Sequence, residues 1–485
     1  MKKIAIYLMF SFAISTISFA NNLILGTPTI SGSTLSFTIK WDNSWKVTDG
    51  PANWDAVWIF VKRQTCVAGT VNPWIHATLD ASGQSVTGTE LQVDNVTDNA
   101  GVFVRRSTNG IGNITQATVT LTLASAIGGD NIRVFGMEMV NVPTGDFYIG
   151  DGGYSQSGNT VFGNSTNQPV QITSATTSLT KAQYGNQNQY GSSVTLPSTY
   201  PFGYNRFYCM KYEITSAQYL GFLNSLTYDQ QLHKQQDMNW NTTPPTSAAG
   251  TVFFNYANVK IKIKTPGIST TSLTPAVYAC DANNNGVYDE DCDGLGFPIP
   301  LRQEHWLTYL EWAALRPMTE FEYEKACRGP LIPVLGEKAW GTEDIAQFQY
   351  ISTTYGCSSE TQTYFALGLC NYQTGRMHRA GSAASSITDR VHAGATYYGI
   401  LDMTGSTYER CVGGWNYDYS TYTTANGDGN INSNGSCGMT IWNNMQYMNR
   451  GGSAQNGQSI QVSVRNYNND PGYGNINAGR GVRSF

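Results

Sequence analysis

The feature that most limits the fold of this chain is the alternation of apolar and polar residues in its first quarter. Residues 34–41 (TLSFTIKW) and 117–123 (ATVTLTL) alternate with a period of two, which indicates strands with one buried face. Residues 55–62 (DAVWIFVK) form a more continuous apolar run. Clusters of Gly, Asn and Asp separate these runs, and short strands divided by turn signals favour a sandwich. We therefore predict an all-β sandwich domain over residues 21–130.

Helix signals first occur after this region. Thr215 and Gln218 have the spacing of a capping box, and so do Thr319 and Glu322. Residues 305–315 (HWLTYLEWAAL) predict a third helix, which Pro317 stops. Residues 151–200, rich in small polar residues, read as long loops. With a boundary near the Gly-Gly-Asp at 128–130, we expect an α+β, loop-rich second domain over residues 131–485.

The N-terminus and the composition predict an exported protein. Two lysines, an apolar run and a small-x-small site before Asn21 are typical of a signal peptide over residues 1–20. No later segment is apolar enough to span a membrane. Removing Lys2 and Lys3 lowers the formal net charge from −5 to −7, and no basic cluster stands out, which argues against binding to nucleic acid. We expect a secreted or cell-surface protein.

Nine cysteines occur in the chain, and some should pair in an oxidising compartment. Cys280 with Cys292, and Cys357 with Cys370, are the pairs expected first because each would close a short loop. Connectivity does not follow from sequence. Others, such as Cys209 and Cys327, are expected to be small buried hydrophobic residues.

Five blocks then occur in a fixed order: residues 139–150 (MVNVPTGDFYIG), 210–219 (MKYEITSAQY), 316–329 (RPMTEFEYEKACRG), 398–411 (YGILDMTGSTYERC) and the segment 450–483, which opens with RGGS and closes with GVR. Together they resemble the formylglycine-generating enzyme, or sulfatase-modifying factor, family. The resemblance implies a C-type-lectin-like fold for residues 131–485. Four arginines are candidates for buried forks that hold long loops in place: Arg450, Arg465, Arg480 and Arg483.

The chain departs from this family at the catalytic positions. Oxidase members carry two copper-binding cysteines after the Gly-Gly-Ser turn, and by spacing those positions are Asn456 and Gln461 here. An amide does not replace a thiolate as a soft ligand or redox centre, so copper is not expected. The five histidines show no spacing for the iron site of another branch of the fold.

Calcium is a possible structural cofactor at two places. The resemblance implies one site near residues 405–409, where Glu409 is retained and Ser406 replaces an asparagine, and another near Asn371. Independently, residues 281–289 (DANNNGVYD) place oxygen side chains at calcium-loop positions 1, 3, 5 and 9, with glycine at position 6. These ligands would be Asp281, Asn283, Asn285 and Asp289. Asp291 or Asp293 would stand in for the usual glutamate, because position 12 is Cys292. A plain Asn/Gly turn is the alternative.

The leading functional hypothesis is a non-catalytic family member that binds or assembles at a bacterial cell surface. A surface protein or glycan is the expected partner, and a homo-oligomer is possible. Four tryptophans, Trp41, Trp45, Trp54 and Trp58, form either a sugar-stacking platform or a sandwich core with one surface aromatic. The alternative is an oxidase or modifying enzyme that uses a relocated cysteine pair, Cys411 and Cys437. Glu320, Glu322 and Glu324 receive no acid–base role because the helix dipole explains acidic residues in a first turn.

Overall fold

The structure is a computed structural model that describes residues 22–67, 70–153, 159–164, 166–180, 183, 195–237, 243–270, 273–348, 354–361, 368–372, 374–385, 388–414, 419–455, 457, 460–466 and 477–485. The chain is mostly β, with several sheets and few helices. The expected signal peptide and Asn456 lie outside the described residues. Among the helices that are described, none combines the length and apolarity needed to cross a lipid bilayer.

The N-terminal part of the chain consists of strands. In chain order these are β1 (Ile24–Leu25), β2 (Thr29–Ser31), β3 (Thr34–Lys46), β4 (Asp55–Gln64), β5 (Cys66–Val67), β6 (Thr70–Val71), β7 (Ile75–His76), β8 (Ser85–Val86), β9 (Leu91–Asn95), β10 (Val102–Arg106), β11 (Gly110–Thr122) and β12 (Asn131–Val142). One sheet has the order β1-β3-β11-β8, with β2 also on β3, while β4, β9 and β10 belong to a second sheet. The alternation predicted in β3 and β11 is confirmed, because their apolar residues form one core cluster.

Strand β4 explains the continuous apolar run. Alternate residues of this strand enter two different hydrophobic clusters: Val57, Ile59 and Val61 pack toward β3 and β11. Trp58 and Phe60 point the other way, toward the rest of the chain. A strand buried on both faces does not need a polar face, so its sequence does not alternate. The apolar run is therefore the sign of a strand between two layers.

The remainder of the chain adds short strands and helices. The strands are β13 (Phe147–Ile149), β14 (Asn159–Thr160), β15 (Val170–Ile172), β16 (Leu179–Thr180), β17 (Thr195–Leu196), β18 (Phe207–Met210), β19 (Val252–Tyr256), β20 (Val259–Thr265), β21 (Val277–Cys280), β22 (Arg316–Thr319), β23 (Ala346–Gln347), β24 (Leu369–Cys370), β25 (Tyr408–Val412), β26 (Tyr447–Arg450), β27 (Arg465–Asn466), β28 (Asn477–Ala478) and β29 (Gly481–Ser484). The helices are α1 (Ser216–Leu223), α2 (Tyr228–Asp237), α3 (Gln303–Trp312), α4 (Glu320–Arg328) and α5 (Thr440–Asn443).

One large sheet joins the two parts of the chain. Its order is β14-β27-β26-β25-β22-β29-β18-β12-β4-β10-β9, with β28 beside β25 and β7 beside β4. Strand β12 begins at Asn131 and pairs with β4 from Asn131 to Val140, then with β18 from Met139 to Val142. Residue 130 is thus followed at once by a strand that both parts share.

The helix starts follow the sequence signals. Thr215 caps α1 and Thr319 caps α4, each with the complete capping box that its spacing predicts. Helix α3 ends at Trp312, four residues before the Arg316–Thr319 strand that contains Pro317. Local signals suffice here because a cap involves only residues within one turn.

The expected cysteine pairs are wrong. Cys292 forms a disulfide with Cys357 across 65 residues. Cys280 and Cys370 are buried free thiols that belong to separate hydrophobic clusters. The short spacing along the chain favoured pairs that close short loops. However, Cys280 is the last residue of strand β21 and its side chain is buried in the core. Cys292 lies on a loop that contacts Cys357 instead.

Candidate functional site

The four N-terminal tryptophans do not form one platform. Trp41 and Trp58 are fully buried, and Trp58 donates its indole N–H to the carbonyl of Ala313 at 3.0 Å. Trp54 is half-buried under the guanidinium of Arg105. Trp45 is also half-buried, and it lines a cleft of about 420 Å³.

This cleft is lined by residues of strand β3, of the segment just after β18 and of the loops at residues 379–385 and 388–401. The Trp45 ring packs against Gly399, where an added Cβ would come within 3.1 Å. Lys211 and Tyr212, just after β18, also line the cleft, and the Lys211 ammonium lies 4.8 Å from the Trp45 ring centre. Arg379 is a further lining residue. We call this the Trp45 cleft.

A buried aspartate positions Trp45. Asp55 accepts hydrogen bonds from the Trp41 indole, the Ser44 hydroxyl and the Trp45 backbone N–H, at 2.8 to 2.9 Å. Burial raises the pKa of Asp55, although Lys211 opposes that shift. The Trp45 indole itself donates to Asn53 at 3.2 Å. The end of β3 is therefore fixed by side-chain hydrogen bonds, and Trp45 is a preformed wall.

The rim of the Trp45 cleft mixes both signs of charge. Arg379 and Arg390 are half-buried, with guanidinium groups that donate to the carbonyls of Glu360 and Ala395. Asp389 is exposed and bonds to His392 at 2.7 Å. Donors and acceptors around an aromatic wall can recognise a polar, uncharged ligand.

All four candidate arginines are buried and each pairs with a carboxylate, as a structural role requires, although the Asp98 partner of Arg483 is exposed. Arg450 bonds to Glu320 at 3.0 Å and Glu324 at 2.6 Å. Arg465 holds the same Glu320 with two nitrogens. The remaining pairs are Arg480 with Glu409 and Arg483 with Asp98.

Two of the acidic residues of α4 therefore do more than complement the helix dipole. Glu320 and Glu324 are nearly inaccessible to solvent. They lie on one side of the helix, as their spacing predicts, and that side faces the arginines of the C-terminal segment. The helix-dipole explanation missed this because the arginine partners are about 130 residues away in sequence.

The block around Glu409 meets Asn371 through the backbone. Ser406 N–H donates to the carbonyl of Asn371 at 2.6 Å, and Gly405 N–H donates to Gly451 at 2.7 Å. Gly405 has φ of +89°, and a Cβ there would lie 2.4 Å from the Asn371 carbonyl oxygen, so glycine is required. The Glu409 carboxylate pairs with Arg480, while the Asn371 side chain bonds to Thr374 and Arg376.

Glu213 is a residue of this region that sequence reasoning did not single out. Its Oε1 accepts hydrogen bonds from the N–H and hydroxyl of Thr407, and its Oε2 is buried without a donor among the described residues. Oε2 of Glu409 is in the same state. Burial, followed by repulsion from Glu409, raises the pKa of Glu213 well above its usual value. In the sequence, only its place within the second block, residues 210–219, could have drawn attention to Glu213.

The predicted calcium loop, residues 281–293, is a folded turn whose oxygens divide into two groups. The oxygens of the first group accept hydrogen bonds that stabilise the turn. Asn283 Oδ1 accepts a hydrogen bond from Asn285 N–H, and Asn285 Oδ1 accepts one from Val287 N–H. Asp289 Oδ1 accepts from Cys280 N–H at 2.8 Å.

The second group of oxygens belongs to Asp281 and Asp293. Both residues are buried, and Oδ1 of each has no hydrogen-bond partner among the described residues. Burial raises the pKa of Asp293 to about 6, and Asp281 adds to the shift.

The thiols are dispersed. Cys411 and Cys437 are buried in different hydrophobic clusters, and burial raises the pKa of both. Gln461 is half-buried, with its amide oxygen unpartnered among the described residues. Within that part of the chain, the one group of three acidic, histidine or cysteine ligands that lies close together is Asp291, Cys292 and Cys357. Its sulfurs form the disulfide, so they are not thiolate ligands.

Comparison with known proteins gives no relative from which a role could be transferred. No protein-family model matches the chain, and no curated protein matches it significantly.

Proposed function

We propose that this chain is an exported, non-catalytic binding or assembly protein of a bacterial cell surface, and that the Trp45 cleft holds its ligand. In this proposal residues 131–485 form a C-type-lectin-like scaffold of the sulfatase-modifying-factor type. The observation that carries the proposal is the cleft itself, in which a fixed indole faces a mixed set of donors and acceptors.

A glycan suits the chemistry of the cleft. Aromatic faces stack on the apolar face of a sugar ring, and the surrounding guanidinium, ammonium and carboxylate groups bond to its hydroxyls. The volume of about 420 Å³ lies within the range of roughly 300–1,000 Å³ that is usual for small-ligand sites.

The state of the thiols supports a role without oxidase chemistry. Six of the seven free cysteines are buried, and Cys66 is exposed. A buried thiol with a raised pKa is neutral at neutral pH and is a poor nucleophile and a poor copper ligand. Asn456 and Gln461, at the positions of the family's catalytic cysteines, carry amides that cannot take over that role.

The experiment compares two half-buried tryptophans. The mature chain, from Asn21, is tested by calorimetry against a panel of purified bacterial envelope polysaccharides and their fragments. Trp45→Ala should weaken the binding of the best ligand by at least about tenfold. Stacking of a base on an aromatic side chain is worth about 1–3 kcal/mol, and we expect the same order for a sugar face. Trp54→Ala, outside the cleft, is the control.

Two results decide against this role for the cleft. One is wild-type affinity in Trp45→Ala with an unchanged melting temperature. The other is the absence of binding to every glycan combined with capture of a single surface protein whose binding survives Trp45→Ala. The appearance of formylglycine in a cysteine-containing substrate peptide would establish the oxidase alternative instead.

A further inference from the structure

The loop of residues 281–293 carries a strong negative charge that two neighbouring lysines only partly neutralise. It contains five acidic residues and no basic residue. From strand β20, Lys262 bonds to Asp281 Oδ2 at 2.6 Å, and Lys264 lies 3.5 Å from Asp289. The ends of the loop are joined, because Ala282 N–H donates to the carbonyl of Asp293. The backbone at the two ends of the loop is therefore held together, and the Asp281 carboxylate lies close enough to that of Asp293 to raise its pKa.

These two carboxylates each have one oxygen that is satisfied and one that is not. Asp281 Oδ2 is bound to Lys262, and Asp293 Oδ2 accepts from Glu290 N–H at 3.0 Å. Asp281 and Asp293 are only 0 % and 1 % exposed. The Oδ1 atom of each is buried and has no hydrogen-bond partner among the described residues. A buried acceptor without a donor costs about 1–3 kcal/mol, and more when it is charged. A cation that contacts both Oδ1 atoms would remove this cost.

We propose that Oδ1 of Asp281 and Oδ1 of Asp293 bind one calcium ion. Calcium takes 6–8 oxygen ligands in flexible geometry, so two buried carboxylates can be completed by loop oxygens and water. No thiolate or imidazole competes, because Cys292 is in the disulfide. The ligand set differs from the one that the sequence pattern predicts: Asn283, Asn285 and Asp289 hold the turn, and Asp293 is the second carboxylate ligand.

The test uses the mature chain after removal of metal with a chelator. Calcium chloride alone is titrated by calorimetry, and the melting temperature is recorded with and without calcium. The wild-type chain should bind one calcium per chain with a dissociation constant on the order of 10⁻⁴ M or tighter, and calcium should raise its melting temperature. Asp293→Asn and Asp281→Asn should each weaken binding by at least about tenfold because a charged ligand is lost.

Asp289→Asn is the matched control, because it removes one charge from the same loop at a residue that is bonded to Cys280 N–H. Its affinity should stay within about threefold of wild type, which reflects long-range charge alone. Lys262→Met should bind calcium more tightly, since the ammonium on Asp281 repels the ion.

Asp281 forms a buried ion pair, so the calcium affinity of Asp281→Asn is interpreted only if this variant keeps a cooperative unfolding transition. If it does not, the calcium affinity of Asp293→Asn alone decides the test. The proposal fails if the folded wild-type chain binds no calcium, or if Asp293→Asn binds as the wild type does. It also fails if Asp289→Asn abolishes binding while Asp293→Asn retains it, a result that would restore the ligand set of the sequence pattern.

Discussion

Arg480 donates a hydrogen bond from Nε to Oε1 of Glu409 at 2.6 Å, and neither side chain is exposed to solvent. A second nitrogen of Arg480 donates to the carbonyls of Met210 and Lys211. The guanidinium thus joins β25, the end of β18 and the turn before β29. Because Lys211 also lines the Trp45 cleft, this pair helps to hold one residue of the candidate site in place.

Breaking this pair should be strongly destabilising. Arg480→Met leaves the Glu409 carboxylate buried without its partner, and we expect the free energy of unfolding to fall by about 3–5 kcal/mol. Denaturant unfolding of the mature chain measures it. Lys40→Met, at an exposed position of β3, should stay within about 0.5 kcal/mol of wild type. The double variant Arg480→Met with Glu409→Gln should recover part of the lost stability. If this variant, both single variants and the wild type were equally stable, the ion pair would have no structural role.

Glu213 should make stability decrease as the pH rises. Burial, then Glu409, raises its pKa well above the usual 4.5. The folded chain therefore holds a proton that the unfolded chain releases. The stabilising contribution is complete below about pH 4.5 and is lost as the pH rises through the folded-state pKa.

Glu213→Gln tests this dependence, because the amide copies the neutral carboxyl at every pH. The free energy of unfolding should decrease between pH 5 and pH 8 in both chains, but the decrease should be smaller in the variant than in the wild type. The difference between the two decreases should be at least about 1.4 kcal/mol, which corresponds to a shift of one pKa unit. Urea unfolding at the two pH values measures the difference. Glu90→Gln, at a half-exposed side chain, is the control and should behave as the wild type does. Parallel decreases in all three chains would show that Glu213 is not the titrating group.

The disulfide should contribute substantially to stability because it closes a long loop. With a sequence separation of 65 between Cys292 and Cys357, chain entropy predicts that the double serine variant loses about 4 kcal/mol of unfolding free energy. Cys66→Ser, at an exposed free thiol, should change little. Denaturant unfolding of the three chains, each without reductant, makes the comparison. A double serine variant as stable as the wild type would mean that the pairing of these cysteines adds nothing.

Calcium should also strengthen ligand binding in the Trp45 cleft, if both proposals hold. The disulfide and a 2.7 Å hydrogen bond from Ser358 N–H to Asp291 connect the acidic loop to residues 357–358, and Ser358 lines the cleft. Titration of the glycan ligand with and without calcium should show several-fold tighter binding in its presence. In Asp293→Asn the two titrations should coincide. A calcium effect of the same size in that variant would place the coupling elsewhere.

Sequence reasoning succeeded where neighbours in sequence are also neighbours in space. The alternation in β3 and both capping boxes are confirmed, because each depends on residues within one turn or on one strand. It failed for the cysteines, since short spacing favoured Cys280 with Cys292 while the fold brings Cys357 to Cys292. It also did not identify which of four tryptophans would line a cleft.

By itself the sequence determined local elements of this protein: the period of two strands and the starts of two helices. Only the tertiary structure decided which distant groups meet, such as Glu320 with Arg450 and Trp45 with Gly399, and why residue 405 must be glycine. The reason is physical. Backbone conformation and capping depend on steric and hydrogen-bonding preferences over a few residues, whereas buried charge pairing and cleft shape depend on which strands the topology places side by side.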